Sequence, residues 1–251
     1  MTTQRIVLIT GANQGIGLQI AKDLAAKRFT VFLGSRSFER GEAAAKTITG
    51  DVRPIQLDVT DGKSIAAAAK RIEQEAGHLD VLVNNAGISN TRFKPGQSFA
   101  EYTLSTRASL ASLDEMREVW ETNVFGALAV YQAVLPLLRK SKAARIVAVS
   151  SGMGSLTSVL DKNFPYRAGY SPIYGASKAA MNAVTVAMAV ELENEGIKVN
   201  VVTPGYTKTA LNNFEGFETV EQGAAEAVRI ALAGDEVPGS TFTMTGATLP
   251  W

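Results

Sequence analysis

Tyr174 and Lys178 stand one helical turn apart in Tyr174-Gly175-Ala176-Ser177-Lys178, a run that reads as helix. At that spacing the phenol and the amine project from one face. An ammonium held near a phenol favours the phenolate and lowers the tyrosine pKa. Such a pair can move a proton on and off an oxygen near neutral pH. The composition leaves few other groups for that work. The chain has 251 residues, no cysteine and one histidine, His78. Disulfides, thiol nucleophiles and cysteine-ligated zinc are therefore excluded, and no metal is expected. His78 lies in Ala76-Gly77-His78-Leu79-Asp80, just before a strand-like run, and reads as a surface-turn residue.

The scaffold that must position these groups is legible as an alternation of strands and helices. Residues 5–10, 30–34, 52–57, 81–84, 145–150, 198–202 and 240–244 read as strands. Most are near-continuous apolar runs, as in parallel strands covered on both faces. Between them lie helical patterns such as Ile16, Ile20 and Leu24, and the alanine-rich stretch 65–72. The alternation predicts an α/β fold: a Rossmann-type doubly wound parallel sheet of about seven strands, helices on both faces, in one domain. Residues 88–114 and 152–171 exceed ordinary connections and follow strands at their carboxyl ends. Ligands bind at that edge of an open α/β sheet, so both segments are expected to wall a pocket. Phe93, Tyr102, Met153, Phe164 and Tyr166 in them suggest an apolar or aromatic ligand.

The apolar and charged fractions, 46% and 20%, are those of an ordinary globule, and the net charge is +1. The basic residues are scattered, which points to neither nucleic acid nor an anionic membrane surface. No apolar run approaches the roughly 18 residues that span a bilayer. The first strand-like run starts at Arg5-Ile6 and leaves no room for a signal peptide, so a cytoplasmic chain is expected.

The first strand runs into Gly11-Ala12-Asn13-Gln14-Gly15-Ile16-Gly17, which opens a helix. Glycines there allow a tight turn and close backbone approach to a pyrophosphate, which the helix amino terminus also attracts. The loop lacks the Gly-Lys-Ser/Thr ending of a P-loop. The second strand ends Leu33-Gly34-Ser35-Arg36, with Arg40 a turn beyond. A guanidinium there can pair with a 2′-phosphate, which favours NADP(H) over NAD. A solvated surface pair is the alternative. Asp58, in Leu57-Asp58-Val59-Thr60, reads either as an adenine contact or as the cap of the next helix. Asn84-Asn85-Ala86-Gly87 ends the fourth strand with small residues that let backbone approach a ribose.

Together these motifs resemble the single-domain branch of the short-chain dehydrogenase/reductase superfamily, its carbonyl-reductase-like members in particular. Thr10-Gly11-x-x-x-Gly15-Ile16-Gly17, Asp58, Asn84-Asn85-Ala86-Gly87, Asn123, Ser150-Ser151, Tyr174-x-x-x-Lys178 and Pro204-Gly205 carry the resemblance. It implies Tyr174 as general acid/base, with Lys178 holding the nicotinamide ribose and lowering the Tyr174 pKa. It implies Ser151, rather than Ser150, on the substrate oxygen, and Asn123 holding a water that relays protons to Lys178. Pro204, Gly205, Thr207 and Thr209 would contact the carboxamide. Asn13, Gln14, Ile16, Ser35, Val59, Asn85, Ala86 and Gly87 complete the expected cofactor contacts. The implied activity is NADPH-dependent reduction of a ketone or aldehyde. Alcohol oxidation by the same groups and a non-catalytic NADP-binding protein are the rival readings. The chain departs from the pattern in Gln14, where NADP-preferring members often carry Lys or Arg, and in a longer gap between Ser151 and Tyr174. The resemblance leaves homodimer, homotetramer and monomer open.

Overall fold

Strands that are apolar at every position need cover on both sides. The structure, a computed structural model describing residues 4–94 and 96–251, provides it. One sheet contains β1 (Ile6–Ile9), β2 (Thr30–Ser35), β3 (Val52–Gln56), β4 (Val81–Asn84), β5 (Arg145–Val149), β6 (Lys198–Val202), β7 (Thr241–Met244) and β8 (Ala247–Thr248). The spatial order is β3-β2-β1-β4-β5-β6-β7-β8. All pairings up to β6–β7 are parallel, and β8 returns antiparallel to β7. Between the strands run α1 (Gly15–Ala26), α2 (Phe38–Ala45), α3 (Gly62–Ala76), α4 (Phe99–Ser105), α5 (Leu113–Trp120), α6 (Gly126–Leu138), α7 (Leu156–Leu160), α8 (Gly175–Glu191) and α9 (Val220–Leu232).

Alternate strand residues feed two cores. Val7, Ile9, Val31 and Leu33 point to one face and meet Ile20 and Leu24 of α1 and Ala227 and Ile230 of α9. Leu8, Phe32, Leu82 and Ile146 point to the other and meet Ile65 and Ile72 of α3, Val130 and Val134 of α6, and Met188 of α8. The strand order reverses between β1 and β4, so the loops leaving their carboxyl ends diverge and open a crevice.

The structure adds elements that the pattern does not show. The eighth strand is two residues long, too short for any periodicity. It forms because Thr245 and Gly246 both take positive φ, 48° and 82°, as in a primed two-residue hairpin turn. Residues 88–114 contain α4, opened by a Ser98–Glu101 capping box, and the start of α5, capped by Ser112. Residues 152–171 contain α7 between two single turns. His78 lies at the opposite sheet edge, where Nε2 is 3.3 Å from Asp80 and Nδ1 is 3.2 Å from the Ala76 carbonyl. Among the described residues no helix is long and apolar enough to cross a membrane.

Candidate active site

Of the catalytic and cofactor-binding residues expected from the sequence, all but Asn123 line a single crevice of about 890 Å³. One end is the glycine loop. Gly11 has φ +62°, and its missing side chain leaves room for Ala86, whose Cα would lie 3.0 Å from a Cβ. A Cβ on Gly17 would sit 2.4 Å from Asn85 Nδ2 and 2.6 Å from the Gly11 carbonyl, so α1 starts as close to the loop as backbone allows. Gln14 caps α1 without a side-chain bond, which leaves the first-turn N–H groups to the crevice.

Thr10 ties this loop to the end of β4. Its buried hydroxyl accepts from Asn85 N at 3.0 Å and Ala86 N at 2.9 Å, while Asn85 Nδ2 donates to the Thr10 and Gly11 carbonyls. Thr10→Val keeps the shape and strands two amides, so unfolding free energy should drop by about 1–3 kcal/mol. A loss below about 0.5 kcal/mol in urea titration would show that water replaces the hydroxyl.

Along the crevice, Ser35 is buried and Arg36 and Arg40 are exposed. Neither arginine forms an ion pair among the described residues. Asp58 Oδ1 accepts from Thr60 N and Thr60 Oγ1 at 2.9 and 2.7 Å, while α3 is capped by Asp61, so the capping alternative for Asp58 is not what the fold uses. Val59 packs its side chain against the Cα side of Gly126. Opposite, Gly205 takes φ +72°, the Thr207 hydroxyl donates to the Pro204 carbonyl at 2.8 Å, and Thr209 pairs with Asn212 in a capping box. Thr209 Cγ2 would lie 3.5 Å from a Cβ on Gly15, so this loop leans over the glycine turn.

The far end holds the titratable pair. Tyr174 is the residue just before α8, not inside it, and the Lys178 amide donates to its carbonyl at 3.0 Å. Lys178 Nζ is buried, donates to the Val149 carbonyl at 3.0 Å and lies 5.9 Å from the Tyr174 ring centre. Spacing alone predicts a lowered phenol pKa, but burial dominates. Tyr174 is pushed up to about 12 because its phenolate would be desolvated, and the neighbouring Ser151 hydroxyl opposes this. Burial pushes Lys178 down to about 8. At neutral pH the phenol therefore keeps its proton beside a strained cation. The Ser150 hydroxyl turns away and donates to Asn182 at 2.6 Å.

Asn123 stands behind the crevice in one turn of π-helix, Glu121–Phe125. Its Oδ1 accepts from Ile88 N, and its Nδ2 donates to the Ile88 carbonyl and to Ser177 Oγ, each at 2.9 Å. Ser177 in turn donates to the Tyr174 carbonyl at 2.7 Å. The side-chain amide thus braces the β4 loop against the tyrosine turn. A methyl on Gly87 would lie 3.3 Å from Asn123 Oδ1 and 3.4 Å from Lys178 Nζ, so only glycine keeps that space open.

Two aromatic residues at the mouth, Tyr206 and Phe217, have no sequence signal. They extend a row Phe164–Tyr166–Tyr206–Phe217 with ring centres 5.6, 5.7 and 5.5 Å apart. Phe217 is 76% exposed and neighbouring Phe214 66%. Phe93, by contrast, packs edge-on to Tyr102, whose hydroxyl donates to buried Glu115 at 3.0 Å. Phe93 holds its loop down and does not line the crevice.

A glycine cradle at one end, unpaired guanidinium groups along the side and a buried cation at the other end are complementary to an elongated anion. On a doubly wound sheet this is the build of a dinucleotide-dependent oxidoreductase. The chain belongs to the short-chain dehydrogenase family, whose model matches residues 5–217. It is 38% identical over 241 residues to a short-chain dehydrogenase of Penicillium roqueforti, across 92% of this chain and 90% of that one. It is 31% identical to the (+)-neomenthol dehydrogenase of Arabidopsis thaliana, across 96% of each chain. The NADPH-bound carbonyl reductase from chicken fatty liver superposes with a TM-score of 0.81, at 27% identity and 99% coverage of both.

Proposed function

We propose that this protein is an NADPH-dependent reductase of apolar ketones or aldehydes, with Tyr174 as general acid. The observation that carries the reading is the convergence of Ser151, Tyr174 and Lys178 where the dinucleotide crevice meets an aromatic mouth. The glycine loop and the start of α1 would hold the pyrophosphate, Asp58 and Val59 the adenine, Arg36 and Arg40 the 2′-phosphate, and Thr207 and Thr209 the carboxamide. NADPH would supply the hydride. Ser151 would donate a hydrogen bond to the substrate oxygen, and Tyr174 would deliver the proton to it. Lys178 would hold the ribose and keep positive charge near the phenol. The aromatic row would exclude water and pack an uncharged, bulky substrate. Relatives named as a carbonyl reductase and a neomenthol dehydrogenase support a C=O/CH–OH substrate.

The test is consumption of NADPH, followed by its absorbance, with a panel of cyclic and aromatic ketones. No turnover on any of them would leave the non-catalytic reading standing. Arg36→Asp removes one charge-assisted contact and opposes a phosphate. It should cut kcat/KM for NADPH about 10- to 100-fold and move the NADPH/NADH ratio toward NADH. An unchanged ratio would remove Arg36 from the 2′-phosphate site.

A further inference from the structure

The reactive geometry depends on a short turn that carries no rigid element of its own. Ser151 is extended, φ −154° and ψ 152°, and opens the single turn Gly152–Gly154 by accepting from Met153 N at 3.2 Å. That bond sets the hydroxyl within the turn. It does not set the turn against α8, which carries Lys178 and begins just after Tyr174. Three contacts do. Lys178 Nζ donates to the Val149 carbonyl at 3.0 Å, before the turn. Asn182 makes the other two: Oδ1 accepts from Ser150 Oγ at 2.6 Å, and Nδ2 donates to the Gly154 carbonyl at 3.1 Å. A single amide therefore grips the residues on both sides of Ser151.

The orientation of this amide is fixed by its partners. The Gly154 carbonyl can only accept, so the nitrogen must face it, and the oxygen is left for the Ser150 hydroxyl. Asn182 and Ser150 are buried, at 4% and 3% exposure, so these bonds form away from competing water. The fit is tight. A Cβ on Gly154 would lie 2.8 Å from Asn182 Nδ2 and 3.0 Å from the Lys178 carbonyl, so the turn rests directly on the helix backbone. Tyr174, Lys178 and Asn182 follow at intervals of four residues and share one helix edge. An amide on a face buried against strands costs desolvation that an apolar residue would avoid, and its two bonds offset that cost.

We propose that Asn182 is a positioning residue for the reaction, holding the Ser150–Gly154 turn so that the Ser151 hydroxyl stays opposite Tyr174. The proposal rests on the roles given above to Ser151 and Tyr174. It predicts coupling: Asn182 matters to turnover only while Ser151 has a hydroxyl to place.

The experiment is a double-mutant cycle on the full-length protein, with kcat and KM for a ketone substrate and NADPH affinity by fluorescence quenching. Asn182→Ala should lower kcat about 10- to 100-fold, the weight of a misplaced reacting group, and leave NADPH affinity within about twofold. In the Ser151→Ala background the same change should cost less than about threefold. Unchanged kcat in Asn182→Ala, or an equal loss in both backgrounds, overturns the proposal; the second result would make Asn182 a purely structural residue. If Asn182→Ala does not fold, Ser150→Ala removes one of the two bonds and goes through the same cycle. It should give a loss of several-fold that disappears without the Ser151 hydroxyl, and an equal loss in both backgrounds is again fatal. Full activity in Ser151→Ala alone overturns the assignment of Ser151 itself, a result distinct from failure of Asn182.

Discussion

Tyr174→Phe should slow ketone reduction by about two to four orders of magnitude, the usual weight of one positioned acid–base group. The variant removes a single oxygen. The ring still seats the turn before α8, and the Asn123–Ser177 brace to the Tyr174 carbonyl is untouched. NADPH affinity and thermal stability should therefore stay near those of the parent, so the loss will appear in kcat. The pH dependence gives a second reading of the same group. Tyr174, pushed up to about 12, and Lys178, pushed down to about 8, are both protonated through neutral pH. Reduction should hold its rate there and fall above about pH 8 as Lys178 loses its charge. A Phe variant with near-normal kcat would remove Tyr174 from the chemistry, and a rate that climbs through pH 9 would contradict a proton donor.

The sheet and the crevice could be read from the chain because their causes are local. A strand covered on both faces must be apolar throughout, and a glycine loop between strand and helix has few alternatives. Residues chosen at the carboxyl ends of β1 to β6 converge because the topology gathers those ends at one edge. What escaped the sequence depends on partners far along the chain. The Asn123 side chain braces Ile88 and Ser177, 35 and 54 residues away, and a motif position carries no trace of those partners. The Tyr174 pKa takes the opposite sign from the one its spacing predicts, because spacing reports a neighbour's charge but not the burial of both groups. Tyr206 and Phe217 have no period or motif and become a mouth only when the 204–217 segment meets the 152–171 loop. Asn182 was silent for a related reason: an asparagine one turn beyond Lys178 means nothing until Ser150 and Gly154 are found on either side of it.

Lys178→Met should abolish turnover and stabilise the protein. Among the described residues the buried ammonium has no carboxylate partner, and burial depresses its pKa from 10.5 to about 8. At about 1.4 kcal/mol per pKa unit, the penalty is about 3 kcal/mol wherever the folded state must carry the charge. Methionine fills a similar volume without it and gives up the bond to the Val149 carbonyl, which costs about 1–2 kcal/mol. The net gain at neutral pH should be about 1–2 kcal/mol, or roughly 2–8 °C in Tm. Linkage fixes how the gain varies. Below about pH 8 both folded and unfolded chains are protonated at Lys178, and the parent carries the whole penalty. Between about 8 and 10.5 the folded chain is neutral there while the unfolded chain still binds the proton, so the parent's stability rises with pH relative to the variant. Denaturation midpoints for both proteins at pH 7 and pH 9.5 test this directly. A stability gap that narrows at the higher pH identifies Lys178 as a strained cation kept for function. A gap independent of pH, or a variant less stable at pH 7, would mean that the ammonium is well solvated and that the crevice end around it is not a low-dielectric site.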